Sequence, residues 1–199
     1  MLDDLDSTLK KFLIHELPDL QNSSETSVAI NFDLPVEGGI QQKPAINLFL
    51  YDVRENVELR SREWKIQRRD NGTAVKTQPP ARIDCSYLIT VWVNADDPQQ
   101  EHHILSKIMR LLLSHTVIPP EMLQGSLCNQ ELPVMLTSMQ SGYLQSPSEF
   151  WQVMGGRAKV SLHCTVTIAV PIEKDTGEFP IVLENLPQMS RLSSSHPSQ

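Results

Sequence analysis

"AINLFLYDVRENVELRSREW" fills residues 45–64 and reads as a long β-strand with one charge out of place. Phe49, Tyr51, Val53, Val57 and Leu59 recur at every second position and form an apolar row. Asp52, Arg54, Asn56, Glu58 and Arg60 form a polar row on the opposite face, as the two-residue period of a strand requires. Glu55 stands inside the apolar row. Burying its carboxylate without a partner costs several kcal/mol, so the strand must either expose it or pair it.

The surrounding sequence supplies the elements that such a strand joins. Leu2, Leu5, Leu9, Phe12 and Leu13 have helical spacing, and Pro18 stops a helix over 2–17. "QNSSET" (21–26) is a polar linker. Val28, Ile30, Phe32 and Leu34 alternate into a strand that ends at Pro35. Residues 64–82 form a hairpin around Asn71-Gly72, a pair that suits a type I′ turn. Residues 83–93 place Ile83, Cys85, Tyr87, Ile89, Val91 and Val93 on one face. Leu88 and Trp92 make the second face partly apolar, which predicts a central strand covered on both sides. Asp97 caps a helix that Pro98 opens, with Ile104, Leu105, Ile108, Leu111, Leu112 and His115 as its buried stripe.

Beyond that helix, 119–125 is a helical turn and 132–139 a short strand. Residues 146–156 form a helix capped by Ser146 and stopped by Gly155-Gly156, with Phe150, Trp151 and Met154 facing the core. The cleanest alternation runs over 158–170. This order predicts an α+β fold, a mostly antiparallel mixed sheet with helices packed on one face. It also predicts one domain over 1–171. An extended arm over 172–186 is placed to add to a sheet edge, and the Ser/Pro-rich tail 187–199 should be disordered.

The 199 residues carry a net charge of −7, which argues against general affinity for nucleic acid or anionic membranes. Eight of the 17 basic residues nevertheless fall between Arg54 and Arg82, either on a solvated ribbon or on a basic projection that docks on an acidic surface. The acidic start lacks the basic flank of a signal peptide, and no apolar run reaches the ~20 residues of a membrane span, so a cytoplasmic protein is expected. Cys85, Cys128 and Cys164 are odd in number, and two lie in apolar strand rows, so reduced core thiols are expected.

No pattern in the chain announces chemistry. Glu101-His102-His103 is the best metal candidate, but adjacent helical residues diverge by about 100° and no ligand type follows at four residues. Asp96-Asp97 reads better as a cap than as a metal pair, and Gly155-Gly156 better as a helix stop than as a phosphate cradle. His163 lies on the polar face of its strand, a surface or interface position. No nucleophile elbow, phosphate loop, dinucleotide fingerprint or Cys-x-x-Cys motif occurs.

Three blocks carry a resemblance: "PAINLFLYDVRENVELR", "PPARIDCSYLITVWVNADDPQQEHHIL" and "SEFWQVMGGRAKVSLHCTVTIAV". The matching positions are Asn47, Leu50, Tyr51, Asp52, Arg54, Glu55 and Asn56, then Pro80, Tyr87, Leu88, Thr90, Trp92, Glu101 and His102, then Trp151 and the Gly155 region. Over roughly residues 1–171 the chain is similar to the tail-terminator, or cap, family of extracellular contractile injection systems. These are phage-tail-like particles of the antifeeding-prophage and virulence-cassette kind. Cys85-Ser86 departs from the family pattern.

The resemblance implies a structural ring at the baseplate-distal end of the particle, which ends the inner tube and seats the last sheath ring. It implies a homo-hexamer with tube and sheath proteins as partners, without catalysis, cofactor, metal, nucleic acid or membrane insertion, in the cytoplasm as part of an assembled particle. Asp52, Arg54, Glu55, Asn56, Arg60, Arg68 and Arg69 are the candidate contacts to neighbouring subunits, tube or sheath. For Glu55 two answers stay open: a β-bulge near Glu55-Asn56 or an internal pair, and an arginine across a subunit contact. The rival reading is a soluble adaptor that binds partners by edge-strand addition.

Overall fold

A computed structural model describes residues 1–21, 27–36, 38–61, 63–69, 73–94, 97–140, 147–155, 157–172 and 175–180. In chain order the elements are helices α1 (Leu2–Glu16) and α2 (Pro18–Gln21), and strands β1 (Ala29–Asn31), β2 (Ala45–Glu55), β3 (Lys65–Arg68), β4 (Thr73–Thr77) and β5 (Ala81–Trp92). Helix α3 (Pro98–Ser114), strand β6 (Met135–Ser138), helix α4 (Pro147–Val153) and strands β7 (Ser161–Val170) and β8 (Asp175–Pro180) follow. Most of the 21–26 linker, the Asn71-Gly72 turn, the Ser146 cap and the 187–199 tail lie outside the described residues.

The chain divides into two compact units. The first holds Met1–Ser61 and Pro80–Pro171; the second gathers Arg62–Pro79 with the residues from Ile172 onward. The sequence suggested one domain over 1–171 with a separate arm; here the 62–79 ribbon and the start of that arm belong together.

In the first unit a five-stranded sheet runs β1-β2-β5-β7-β6, parallel only between β1 and β2. Helices α1 and α3 build the core with one face of it: Leu5, Leu9, Phe12 and Leu13 with Ile104, Ile108 and Leu111 meet Ile46, Leu48, Tyr87, Ile89, Val166 and Ile168. Each such large side chain contributes roughly 1.5–3 kcal/mol by leaving water. Strand β5 is buried along nearly its whole length, as its two apolar faces predict. Asp97 caps α3, its Oδ1 accepting from Gln99 N at 2.9 Å and Gln100 N at 3.3 Å. Helix α4 touches the other face, where Phe150 lies 6.3 Å from Phe49. Gly155 takes a φ of 66° just past α4, a left-handed turn suited to glycine.

The single apolar row read along β2 is broken, and the reason is a bulge. Leu50 pairs with Tyr87, but Asp52 pairs with Ser86, so Tyr51 is an extra residue. Directly paired residues share a face. Ile46, Leu48 and Leu50 therefore face the helices before the bulge, and Val53 and Glu55 after it, opposite Cys85 and Ile83. Phe49, Asp52 and Arg54 lie on the other face with Leu88, Ser86 and Asp84. The bulge sits at Tyr51, four residues before the position expected from the sequence. The strand also ends at Glu55, so Val57 and Leu59 belong to no strand and are exposed. Two other strands are shorter than the alternation suggests: β1 keeps three residues, and β7 starts at Ser161, leaving Val160 exposed.

In the second unit β4 is central in a three-stranded sheet β3-β4-β8, antiparallel throughout. Ala74 pairs with Phe179 and Val75 with Glu178.

Candidate functional site

The candidate residues on β2 sit where the strand leaves the sheet. Asp52 and Arg54, two apart on one face, form an ion pair at 2.6 Å. Glu55 Oε1 meets Arg60 Nε at 2.9 Å, with the Glu55 side chain 35% exposed. The out-of-place carboxylate thus has an intrachain partner five residues on. Such a part-exposed pair stabilises by about 0–1 kcal/mol and mainly sets geometry.

Asn56 holds the turn that follows. Its N–H donates to Arg82 O at 2.8 Å, its Oδ1 accepts from Leu59 N at 3.0 Å, and its Nδ2 donates to Asp84 Oδ2 at 2.9 Å. Asp84 also accepts from Thr167 Oγ1 at 2.6 Å across the β5–β7 ladder. It is only 6% exposed, and Arg82 beside it only 5%. Arg82 donates from Nη2 to Pro133 O at 3.2 Å. Its Nε has no hydrogen-bond partner among the described residues. Burial lowers its pKa below the ordinary guanidinium value, and the Asp84 charge opposes that shift.

Arg54, Asn56, Asp84 and Thr167 border a cleft of about 460 Å³ on the sheet face turned away from α1 and α3, and Tyr51, His163 and Thr165 join its lining with the exposed Glu58 and Gln140. The bulged Tyr51 stacks edge-on against His163, centroids 6.0 Å apart. Burial raises the Tyr51 pKa and lowers that of His163, whose Nδ1 has no partner among the described residues. Chemically the cleft brings carboxylates, hydroxyls and an imidazole together.

The sequence located Asp52, Arg54, Glu55, Asn56 and Arg60 but not Asp84 or Arg82. The available signal was two charged residues on the second face of a strand whose other residues there include Leu88 and Trp92. Arg68 and Arg69 belong to the second unit, where both are exposed; Arg69 N–H donates to Thr73 O at 2.8 Å and ties β3 to β4. In the same unit Lys76 lies over Trp64, 4.9 Å from the ring centre.

Glu101 is bound to Lys159 at 2.5 Å, and Lys159 lies over Trp92 at 4.6 Å. Among the described residues no three His, Cys, Asp or Glu side chains gather as a metal site, and no helix is long and apolar enough to cross a membrane.

Comparison with known proteins gives the frame for this surface. The family model of the Pvc16 N-terminal domain matches residues 4–184. Two cryo-electron-microscopy structures share the fold. One is the PVC sheath/tube terminator of an extracellular contractile injection system in its extended state; it has a TM-score of 0.65 and 25% identity over 94% of this chain and 64% of that one. The other is the tube-terminating cap of the anti-feeding prophage, with a TM-score of 0.64 and 23% identity over 95% and 62% of the two chains. The present chain spans a little under two thirds of the length of either structure. Curated proteins give no match. With the family model covering nearly all of the α+β fold described above, the chain belongs to the Pvc16 N-terminal domain family.

Proposed function

We propose that this chain is the cap, or terminator, of a contractile injection particle: six copies form a ring that ends the inner tube and seats the last sheath ring at the baseplate-distal end. The observation that carries this reading is the likeness, over 94% of the chain, to a sheath/tube terminator. The reading asks for no catalysis and no cofactor. It places the protein in the cytoplasm during assembly of the particle, with the tube and sheath proteins as partners.

Physical reasoning gives the candidate surface a role. A tube of stacked rings is an open assembly, because each ring exposes a face that accepts the next. A final ring must match that face on one side and offer nothing equivalent on the other. Unpaired strand edges on the free side have to be short, covered or charged. Strand β1 pairs with only Ala45–Asn47, so beyond Asn47 the outer edge of β2 has no strand neighbour among the described residues. Asp52, Arg54 and Glu55 charge that stretch, and Arg60 adds to it. Arg68 and Arg69 supply a second, basic contact.

Deletion of the protein should give tubes of irregular length, often without attached sheath, on a normal baseplate. Particles of normal length with firmly seated sheath would refute the reading. The open β2 edge also favours a second one, an adaptor that takes an extended peptide as an added strand. The mass of the purified chain separates them, since an adaptor is a monomer and a cap a closed oligomer.

A further inference from the structure

We infer that the cleft between β2 and β7 receives the exposed Arg68–Arg69 end of β3 from a neighbouring copy, so that one contact repeated head to tail closes the ring. This rests on the cap reading above and names the contact within it.

Two observations carry the inference, and a symmetry argument fits them. The cleft, at about 460 Å³, is of the size that takes a ligand-sized group, roughly 300–1,000 Å³. Its carboxylates keep acceptor capacity. A carboxylate offers about four lone-pair sites, and Asp84 shows two bonds. Glu58, which also lines the cleft, is exposed. Arg54, the one Lys or Arg on the wall among the described residues, faces Asp52. A planar guanidinium, with five donors and a fixed charge, is the side chain that answers such a lining.

The second observation is the supply. Lys65, Arg68 and Arg69 are all exposed along one short strand and its end. Arg68 and Arg69 set two guanidinium groups side by side, and neither belongs to the cleft lining. Symmetry agrees with this pairing. Donor and receiver are different surfaces of the same chain, which makes the contact heterologous. Such a contact generates a ring when its rotation closes, whereas a two-fold dimer needs one patch that matches itself.

The test uses the full chain and two variants altered only at exposed positions. One carries Arg68→Glu with Arg69→Glu. The other carries Glu58→Arg with Gln140→Arg, both in the cleft lining. Sedimentation is followed over a concentration series, with melting curves as the folding control.

The unaltered chain should sediment as a closed ring. Each variant alone should melt normally and dissociate at roughly a hundredfold higher concentration, because each sets like charges against each other at every contact. An equimolar mixture of the two should restore the ring, since each acidic end then meets a basic cleft. Rings that survive both substitutions, or a mixture that stays dissociated, overturn the contact and leave the cap reading standing. An unaltered chain that remains a monomer throughout overturns the cap reading and the contact together. Should a charge-reversed variant melt early, Arg68→Gln with Arg69→Gln must show the weakened ring in a folded chain, and an undiminished ring there overturns the contact.

Discussion

Asn56 Nδ2 lies 2.9 Å from Asp84 Oδ2, so a residue just past the end of β2 is bonded to a buried carboxylate near the start of β5. That bond couples the exposed turn carrying Glu58 and Leu59 to the sheet interior. Asn56→Ala leaves Asp84 and Leu59 N–H each short of one partner, and should cost about 1–3 kcal/mol. Asp84→Ala should cost more, roughly 3–5 kcal/mol, because Arg82 is then buried without its neighbouring negative charge. At about 2–4 °C per kcal/mol for a chain of this size, both effects fall well within reach of a melting curve. A shift below one degree for Asp84→Ala would show that the bridge contributes little.

His163 gives the fold a dependence on pH. Burial holds its pKa below the unfolded value, so the unfolded chain binds the proton more readily. Its contribution to stability is therefore present above the unfolded pKa of about 6.5 and is lost as pH falls through that value toward the folded pKa. Melting temperatures measured between pH 7.5 and 5.5 should fall toward the acid end. Replacement by Gln should flatten the part of that fall that His163 causes. An identical slope in the His163→Gln variant would assign the pH dependence to other groups.

The cysteines should separate by environment. Burial pushes the Cys85 thiol up to about 11 and the Cys164 thiol up to about 12, while Cys128 is exposed. The thiolate is the reactive form, so a short treatment of the native protein with iodoacetamide at pH 8 should label Cys128 alone. Denaturation without reductant should then open all three. Intact mass reads both results, and a native disulfide would leave two sites unlabelled after denaturation.

Strand β8 and the tail beyond it should behave differently on truncation. Ending the chain at Leu186 removes a Ser/Pro-rich segment that has little apolar surface to bury, and the melting temperature should hardly change. Ending it at Pro171 removes one of the two partners of β4, leaving Ala74 and Val75 without Phe179 and Glu178 opposite. Amide exchange across Thr73–Thr77 should then accelerate strongly while α1, α3 and β5 keep their protection. Unchanged exchange in β4 would show that β8 adds nothing to the ribbon.

The elements legible in the sequence were those whose period is set by a deep core. Helix α3 announced itself through Asp97, Pro98 and the Ile104–Leu112 stripe, and β5 through apolar residues on both faces. The position of the bulge was not legible. An extra residue moves the period by one, and Tyr51 is amphipathic enough to continue either row, so Phe49 and Val53 read as one face when they lie on two. The second unit was hidden for another reason: β4 and β8 are about a hundred residues apart, and local pattern holds no record of their pairing. Of the candidate site, the charges at the end of β2 were visible as charges. Asp84 drew no attention because nothing in its own neighbourhood says that Asn56 and Thr167 close over it.

Tyr51 can be treated as a single-residue insertion into an otherwise regular strand. Remove it, and Leu50 and Val53 still face the helices while Asp52 and Arg54 still face away, because the pairing on either side already assumes it is not there. Removing Val53 instead would carry Arg54 toward the core. Strand β2 therefore has one position at which a deletion is tolerated by the sheet, and it is the position whose side chain walls the cleft against His163. A variant lacking Tyr51 should fold with its core intact and its cleft open on one side, so that the shape of the cleft varies without the fold having to follow.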